Sequence, residues 1–381
     1  MRYDFDTVIA RRGSGCIKFD RRPELDPFWV ADMDFTSAPE IIDALHRRVD
    51  HGVFGYAHPH PGLVSAVIDY LHATHSVRAS EEHLVHLGGL VPALSLAARA
   101  FCQPGEALLT TVPVYPPFLA VHRDARAELV CVDHALTDGV WTFDWEKLEA
   151  AVTERTRLFL LSNPQNPLGR VFSEAEITRL AEFCERHDLV LVSDEIHCDL
   201  ILDPERTPHF SAARLPASFQ KRIITLLSPS KTYNIAGLGY AYAVIFDDSL
   251  RRRFIAARGH TLPEINALGY YAAEAAYRHA EPWRQQLLAY LRGNRDALRA
   301  ALAADIPEAI VPNIEATYLA WIDCRALDLA NPAEFFETTA GLFLSDGALF
   351  EAPGHVRFNF GCPRQRVLDG LAKMAAALAN R

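Results

Sequence analysis

Cysteine is scarce in this 381-residue chain. There are seven, scattered at Cys16, Cys102, Cys131, Cys184, Cys198, Cys324 and Cys362, an odd number with no CxxC pair among them. Neither a disulfide framework nor a structural zinc site is expected from that spacing, and no metal is expected elsewhere. Reduced thiols in a cytoplasmic protein are the simpler reading. Positive charge is also in deficit, giving a formal net charge of −10. No basic block and no basic–aromatic interleaving occurs, which argues against nucleic acid as a partner. No apolar run reaches the length of a membrane span. The opening residues, Met1-Arg2-Tyr3-Asp4-Phe5-Asp6, lack the apolar core of a signal peptide. Internal repeats and low-complexity linkers are absent too.

What is present is apolar bulk. Half the residues are hydrophobic, and a chain this long buries roughly three quarters of its unfolded surface without covalent staples. More than one core is expected at this length. From about residue 40, helical patterns alternate with short apolar runs. The helical patterns are Pro39–Gly52, Gly62–His75, Val91–Phe101 and Ser173–His187. The runs are Ala107–Thr111, Ala127–Val132, Leu158–Ser162, Leu189–Ser193, Ile223–Leu227 and Tyr240–Phe246. Short strands alternating with helices predict an α/β fold with a mainly parallel sheet covered on both faces. Ser173 and Glu176 carry the spacing of a capping box. After about residue 264 the pattern changes to long helices, a strand at Thr317–Ile322, a helix at Pro332–Ala340, a strand at Val356–Phe360 and a terminal helix. The expected division is a large domain over 41–270, a smaller α+β domain over 271–381, and an N-terminal segment, 1–40, packing with the smaller one.

Chemistry concentrates where these runs end. Lys231 stands in Ser228-Pro229-Ser230-Lys231-Thr232, directly after Ile223–Leu227. A lysine emerging from a buried strand beside hydroxyls suits covalent attachment of an aldehyde cofactor, with the serines free for its phosphate. It also suits a merely solvated strand end. Asn163-Pro164-Gln165-Asn166-Pro167 follows Leu158–Ser162; two Asn-Pro steps make a stiff turn, which either is only a rigid loop or presents the Asn166 amide to a ring oxygen. Asp194 ends Leu189–Ser193, the position at which ligands of parallel sheets bind. It fits either a helix cap or a partner for a pyridine nitrogen. His197, three residues on, is placed either beside that ring or in the core. Arg357 sits among apolar neighbours in His355-Val356-Arg357-Phe358 and needs an anion, either internal or a substrate carboxylate. Tyr115 in Pro113-Val114-Tyr115-Pro116 offers a flat ring for stacking or for turn packing. Gly88-Gly89-Leu90-Val91 opens a helix whose amides suit a phosphate.

In this order along nearly the whole chain, these features resemble the pyridoxal-phosphate enzymes of the aminotransferase class I/II family. Trp29-Val30-Ala31-Asp32-Met33-Asp34-Phe35, Pro113 to Phe118, Ser228 to Leu238, Glu315 to Trp321 and Arg357 to Arg364 are similar to its cystathionine β-lyase, or C–S lyase, branch. The resemblance implies a fold-type-I pyridoxal-phosphate architecture: a seven-stranded, mainly parallel sheet flanked by helices, plus the smaller α+β domain. It implies pyridoxal 5′-phosphate as cofactor, carried on Lys231. Asp194 would face its ring nitrogen, Asn166 and His197 its O3′, and Tyr115 its ring face. Ser228, Ser230 and the Gly89-Leu90-Val91 turn would take its phosphate. Arg357 would take the substrate carboxylate, with Ala31, Tyr115 and Asn166 beside the substrate. Tyr56 matches a tyrosine that in this family reaches the neighbouring subunit's phosphate, which implies a homodimer. The chain departs from many relatives at two places: Gly239 stands where an arginine often binds phosphate, and His197 stands where transaminases usually have tyrosine.

The expected reaction is β-elimination from cystathionine or a related cysteine S-conjugate, giving a thiol, pyruvate and ammonia. Lys231 would remove the α-proton. Transamination of an amino acid is the alternative, since it uses the same Lys231, Asp194 and Arg357. A non-catalytic regulator on the same fold is opposed by the intact set of these residues.

Overall fold

Seven apolar segments form the central sheet, in chain order β1 (Leu84–Leu87), β2 (Ala107–Val112), β3 (Glu128–Asp133), β4 (Thr156–Ser162), β5 (Val190–Asp194), β6 (Ile223–Leu227) and β7 (Ala241–Val244). Every residue of β2, β6 and β7 is buried, the consequence of a sheet covered on both faces. The computed structural model describes residues 2–259 and 262–381. Met1, which begins the expected N-terminal segment, and residues 260–261, inside the expected large domain, lie outside them.

The strands lie in the order β1-β7-β6-β5-β4-β2-β3. β2 through β6 pair in parallel, and β7 runs antiparallel to both of its neighbours. β1 and β3 are the two edges, and on β3 the exposed Glu128 and Asp133 leave charge, which discourages pairing with another chain. Register decides what meets at the carboxyl ends. Ser162 pairs with Asp194, and Asp194 with Leu226. The loops after β4, β5 and β6 therefore open side by side.

The helix Leu90–Phe101 buries Ala93, Leu94, Ala97, Ala98 and Phe101. That spacing gives one apolar face, and it packs with β6 and β7 residues in a common core. The capping box forms as expected: Glu176 N donates to Ser173 Oγ at 3.3 Å, and Ser173 N donates to Glu176 Oε2 at 2.7 Å.

A second, antiparallel sheet contains β8 (Leu319–Asp323), β9 (Ser345–Asp346) and β10 (His355–Asn359), in the order β8-β10-β9. Its core joins Phe358 and Met374 with Leu287, Leu291 and Leu298 of the helix Glu281–Asp305, and with Phe28, Met33 and Phe35 from near the N-terminus. Phe28 stacks on Phe358 with ring centroids 4.4 Å apart. Asp26–Pro27 pairs in parallel with Leu342–Phe343. The early chain is thus threaded into the late elements, which brings Trp29–Phe35 across the open ends of β5 and β6. A small hairpin, Ala135–Thr137 with Val140–Thr142, was not foreseen. Its turn residues Asp138 and Gly139 both have left-handed φ, 52° and 75°, as an Asp-Gly hairpin turn requires.

Candidate active site

A cavity of about 270 Å³ opens at the carboxyl ends of β4, β5 and β6, lined by Ala31, Gly89, Leu90, Val91, Tyr115, Asn166, Asp194, His197, Ser230 and Lys231, with Pro92, Phe118, Ser162, Ile196 and Ala236. The first ten of these are residues expected from the sequence. Ser228, Arg357 and Tyr56 are the expected residues outside that lining.

Lys231 leaves the end of β6 and turns into the cavity, where its Nζ donates to the Ala31 carbonyl at 2.7 Å. Burial lowers its pKa from 10.5 to about 8; Asp32 and Asp194 oppose this and Arg357 reinforces it. The size of the shift matters for chemistry. At pH 7 an amine with a pKa near 8 is uncharged in roughly one molecule in ten, against about three in ten thousand for an ordinary lysine. Lys231 is not a solvated strand-end cation.

Asp194 is fully enclosed, and burial raises its pKa from 3.8 to about 7, with Glu195 adding to the rise and the Ile196 amide and Lys231 resisting it. Its Oδ1 accepts from Ile196 N at 3.1 Å. No helix follows it; the chain runs on in turns to Leu200. Glu195 points away, onto Ser193 Oγ at 2.9 Å, Ala212 N at 2.8 Å and His209 Nε2 at 3.1 Å. Two adjacent carboxylates thus have separate environments: Glu195 is compensated, and Asp194 awaits a cationic partner.

Arg357 lies on β10 opposite Trp321 of β8 and Ser345 of β9. Its guanidinium donates to Asn166 Oδ1 at 2.9 Å, the Trp29 carbonyl at 2.7 Å and Ser345 Oγ at 3.3 Å, while Nε is buried without a partner. The Phe350 ring lies 4.9 Å below it. Among the described residues no carboxylate closes an ion pair with it, and burial lowers its pKa to about 10. The internal salt bridge weighed from the sequence does not form. A buried guanidinium held only by neutral oxygens retains its charge for an incoming anion.

His197 is buried, and burial depresses its pKa to about 3, with Lys231 and Arg357 adding repulsion. It is a neutral imidazole at any ordinary pH, with a buried Nδ1 that has no partner. Burial raises the pKa of Tyr115, so its phenol is un-ionised.

At the far wall, Gly89 precedes the helix Leu90–Phe101. First-turn amides have no partner within a helix and sit at its positive end, which suits an anion. Ser230 lines the same wall. Ser228 does so less directly: its hydroxyl donates to the Tyr240 carbonyl at 2.7 Å and accepts from Ser230 N at 3.1 Å. Gly239 has a left-handed φ of 61°, and a Cβ there would come 3.2 Å from the Gly88 carbonyl. A side chain at that position is strained, which accounts physically for glycine there. Tyr56 is fully exposed, in a segment where Val53 and Phe54 are exposed as well.

Sequence reasoning missed Tyr318, whose hydroxyl donates to the Ala31 carbonyl at 3.0 Å; it stood within a quoted motif without a role. It also missed a buried cluster behind the site, where Tyr70 donates to Asp199 at 2.6 Å and His75 lies 3.5 Å from the same carboxylate.

The set fits pyridoxal 5′-phosphate. A half-buried lysine of lowered pKa, a carboxylate short of a cation, and orphaned Arg357 Nε and His197 Nδ1 converge near one cavity closed by a helix N-terminus.

Comparison with known proteins agrees. Cystathionine β-lyase PatB of Bacillus subtilis is 34% identical over 99% of this chain and 100% of its own. The solved structure of OvoB superposes with a TM-score of 0.96 at 39% identity, covering all of both chains. Cystalysin from Treponema denticola, solved with pyridoxal 5′-phosphate, superposes with a TM-score of 0.95 at 30% identity, again over all of both chains. Residues 30–373 match aminotransferase class I and II, and with the fold and cavity described above the chain belongs to that family.

Proposed function

We propose that this protein is a pyridoxal-phosphate-dependent carbon–sulfur β-lyase acting on L-cystathionine or a related cysteine S-conjugate. The observation that carries the reading is the convergence of Lys231, Asp194, Asn166 and Tyr115 on one cavity, with Arg357 at its edge on Asn166. Similarity to cystathionine β-lyase PatB across the full chain supports the lyase reaction.

When bound, pyridoxal 5′-phosphate supplies an electron sink for charge developing at the substrate α-carbon. Lys231 would hold it covalently, Asp194 would face its ring nitrogen, Asn166 and His197 its O3′, and Tyr115 its ring. Ser230, Ser228 and the Gly89–Val91 turn would take its phosphate. Asp194, buried and short of a cation, would favour its ionised form beside a protonated ring nitrogen and would hold that proton in place. Arg357 receives the substrate carboxylate in a bidentate pair, with Ala31 near the substrate. Lys231 would take the α-proton on Nζ; its lowered pKa keeps part of the amine available as base. The electron pair left at Cα forms the Cα–Cβ double bond as the Cβ–S bond breaks with its electrons on sulfur as a thiolate, and the three-carbon enamine released tautomerises to an imine that water hydrolyses to pyruvate and ammonia.

Exposed Val53, Phe54 and Tyr56 support a homodimer in which Tyr56 reaches the neighbouring site. The reduced-thiol composition supports a cytoplasmic location; among the described residues no helix is long and apolar enough to cross a membrane. We assign residues 41–270 to a large cofactor domain and 271–381, with the segment 1–40, to a small one.

The test is an absorbance spectrum of the purified protein, followed by cystathionine with pyruvate detection. A bound-cofactor band with pyruvate release supports the lyase. The band with conversion to pyridoxamine phosphate and no pyruvate would make it an aminotransferase.

A further inference from the structure

The Ala31 carbonyl is where the catalytic amine rests. It accepts from Lys231 Nζ at 2.7 Å and from the Tyr318 hydroxyl at 3.0 Å, which uses both of its lone pairs. An amine that gives one N–H to a fixed acceptor has its lone pair confined to the remaining directions, so this carbonyl sets where Lys231 can take a proton.

The backbone around Ala31 is held from both sides. The Asn359 side-chain amide donates to the Val30 and Asp32 carbonyls, the latter at 2.7 Å, and Lys18 donates to the Asp32 carbonyl at 3.1 Å. Arg11 donates to the Met33 carbonyl at 3.1 Å. Arg11 also spans two carboxylates, Asp32 at 2.7 Å and Asp34 at 2.6 Å. Lys18, only 1% exposed, lies 2.9 Å from Asp34 and 3.5 Å from Asp32. Arg366, from the last helix, reaches Asp34 at 2.6 Å. Three cations therefore meet two carboxylates, leaving one excess positive charge.

We propose that Arg11 is a positioning residue for Lys231, acting through the Asp32 side chain and the Ala31 carbonyl; this rests on the reading of Lys231 as the cofactor-bearing base. The charged groups facing Lys231 are Asp32 from this segment, Asp194 from β5 and Arg357 from β10, with neutral His197 beside them. Of these, only Asp32 is gripped by Arg11. Without Arg11, Asp32 would keep only the more distant Lys18 ammonium at 3.5 Å, and more of its field would stabilise the ammonium form of Lys231 and withdraw the lone pair the reaction needs. With Arg11 on it at 2.7 Å, part of that field is cancelled, and the loop that carries the resting acceptor is fixed at the same time. Buried ion pairs are weak contributors to stability compared with apolar packing, so a cluster of five charges at this position calls for a role beyond holding the segment.

The test reads the lysine without turnover. Cofactor-free protein is mixed with pyridoxal 5′-phosphate, and the rate at which the bound-cofactor band appears is followed against pH, since attack on the aldehyde requires the uncharged amine. Arg11→Gln is expected to move the midpoint upward and slow binding at pH 7; a half-unit rise is roughly a threefold loss of rate. Asp32→Asn is expected to move it downward. The double variant restores the net charge and returns the midpoint toward that of the unsubstituted protein, and Arg11→Lys leaves it nearly unchanged. If Arg11→Gln fails to fold, Asp32→Asn alone decides: a downward shift supports the proposal and an unchanged or upward midpoint overturns it. Arg11→Gln and Asp32→Asn shifting in the same direction would mean general loosening and would also overturn it. If the unsubstituted protein gives no band at any pH, the reading of Lys231 fails first.

Discussion

Arg357 donates to the Asn166 side-chain oxygen at 2.9 Å, and this one bond orients the amide. A guanidinium has no acceptor, so the atom facing it must be oxygen, and the Asn166 NH₂ is left as the donor. The residue proposed to hold the substrate thus points the residue proposed to hold the cofactor. Asn166→Asp would keep the bond to Arg357 and replace the donor with a second oxygen. Cofactor affinity is expected to fall roughly ten- to hundredfold, the range for losing a hydrogen bond to a charged group. Spectroscopic titration of cofactor-free protein checks it; unchanged affinity would remove Asn166 from the cofactor site.

Arg357→Lys tests the planar fork. A lysine brings the charge without bidentate geometry, and it abandons at least one of the contacts to Asn166, Trp29 and Ser345. KM for cystathionine is expected to rise roughly tenfold or more. Steady-state kinetics decide, and an unaltered KM would place the substrate carboxylate elsewhere.

Asp194→Asn separates stability from function. Burial raises the carboxyl's folded pKa to about 7 from 3.8, so the folded cofactor-free protein prefers the protonated form. The stability contribution of that form is complete below the unfolded pKa, near 4, and is lost as pH rises through about 7. Asparagine cannot ionise. Cofactor-free Asp194→Asn is expected to be more stable than the unsubstituted chain at pH 8, by on the order of a few kcal/mol, with the gap closing toward pH 4. Lyase activity should fall at the same time. Denaturant unfolding at the two pH values is the measurement, and a pH-independent difference would sink the argument.

Lys231→Ala should abolish the covalently bound cofactor band and reduce pyruvate release by about 10²–10⁴-fold, the usual range for a lost acid–base group. A variant that retained turnover would overturn the role given to Lys231.

Much of this site was legible in the sequence because its residues sit where local signals are strongest. Asp194 and Lys231 follow uninterrupted apolar runs, and Asn166 stands between two prolines; each is fixed by its own few neighbours. β6 and the helix Pro332–Ala340 lie where they were expected, and the other expected strands shift by one or two residues at their ends. What could not be read was long-range. The Ala31 carbonyl is met by Lys231 and Tyr318, 200 and 287 residues away, and no local pattern encodes a backbone oxygen. Ser228 was read as a free hydroxyl; its bond to the Tyr240 carbonyl depends on β7 reversing direction beside β6. The hairpin at 135–142 was missed although Asp138-Gly139 signals it, because its strands are short and alternate poorly.

The threading of residues 26–35 among the last elements of the chain has a consequence for synthesis. The lysine, the aspartate and the helix N-terminus all lie in or beside a sheet complete by Val244. Arg357 and the Asn359 amide that steadies the Ala31 turn lie on a strand near the end of translation. A chain emerging from the ribosome therefore has Lys231 and Asp194 at hand before the strand that steadies the Ala31 turn and orients Asn166 has been made. The cavity is finished only when the last strand joins, and a message cut short by some thirty codons would lack both the Asn359 amide on the Ala31 turn and the Arg357 bond to Asn166.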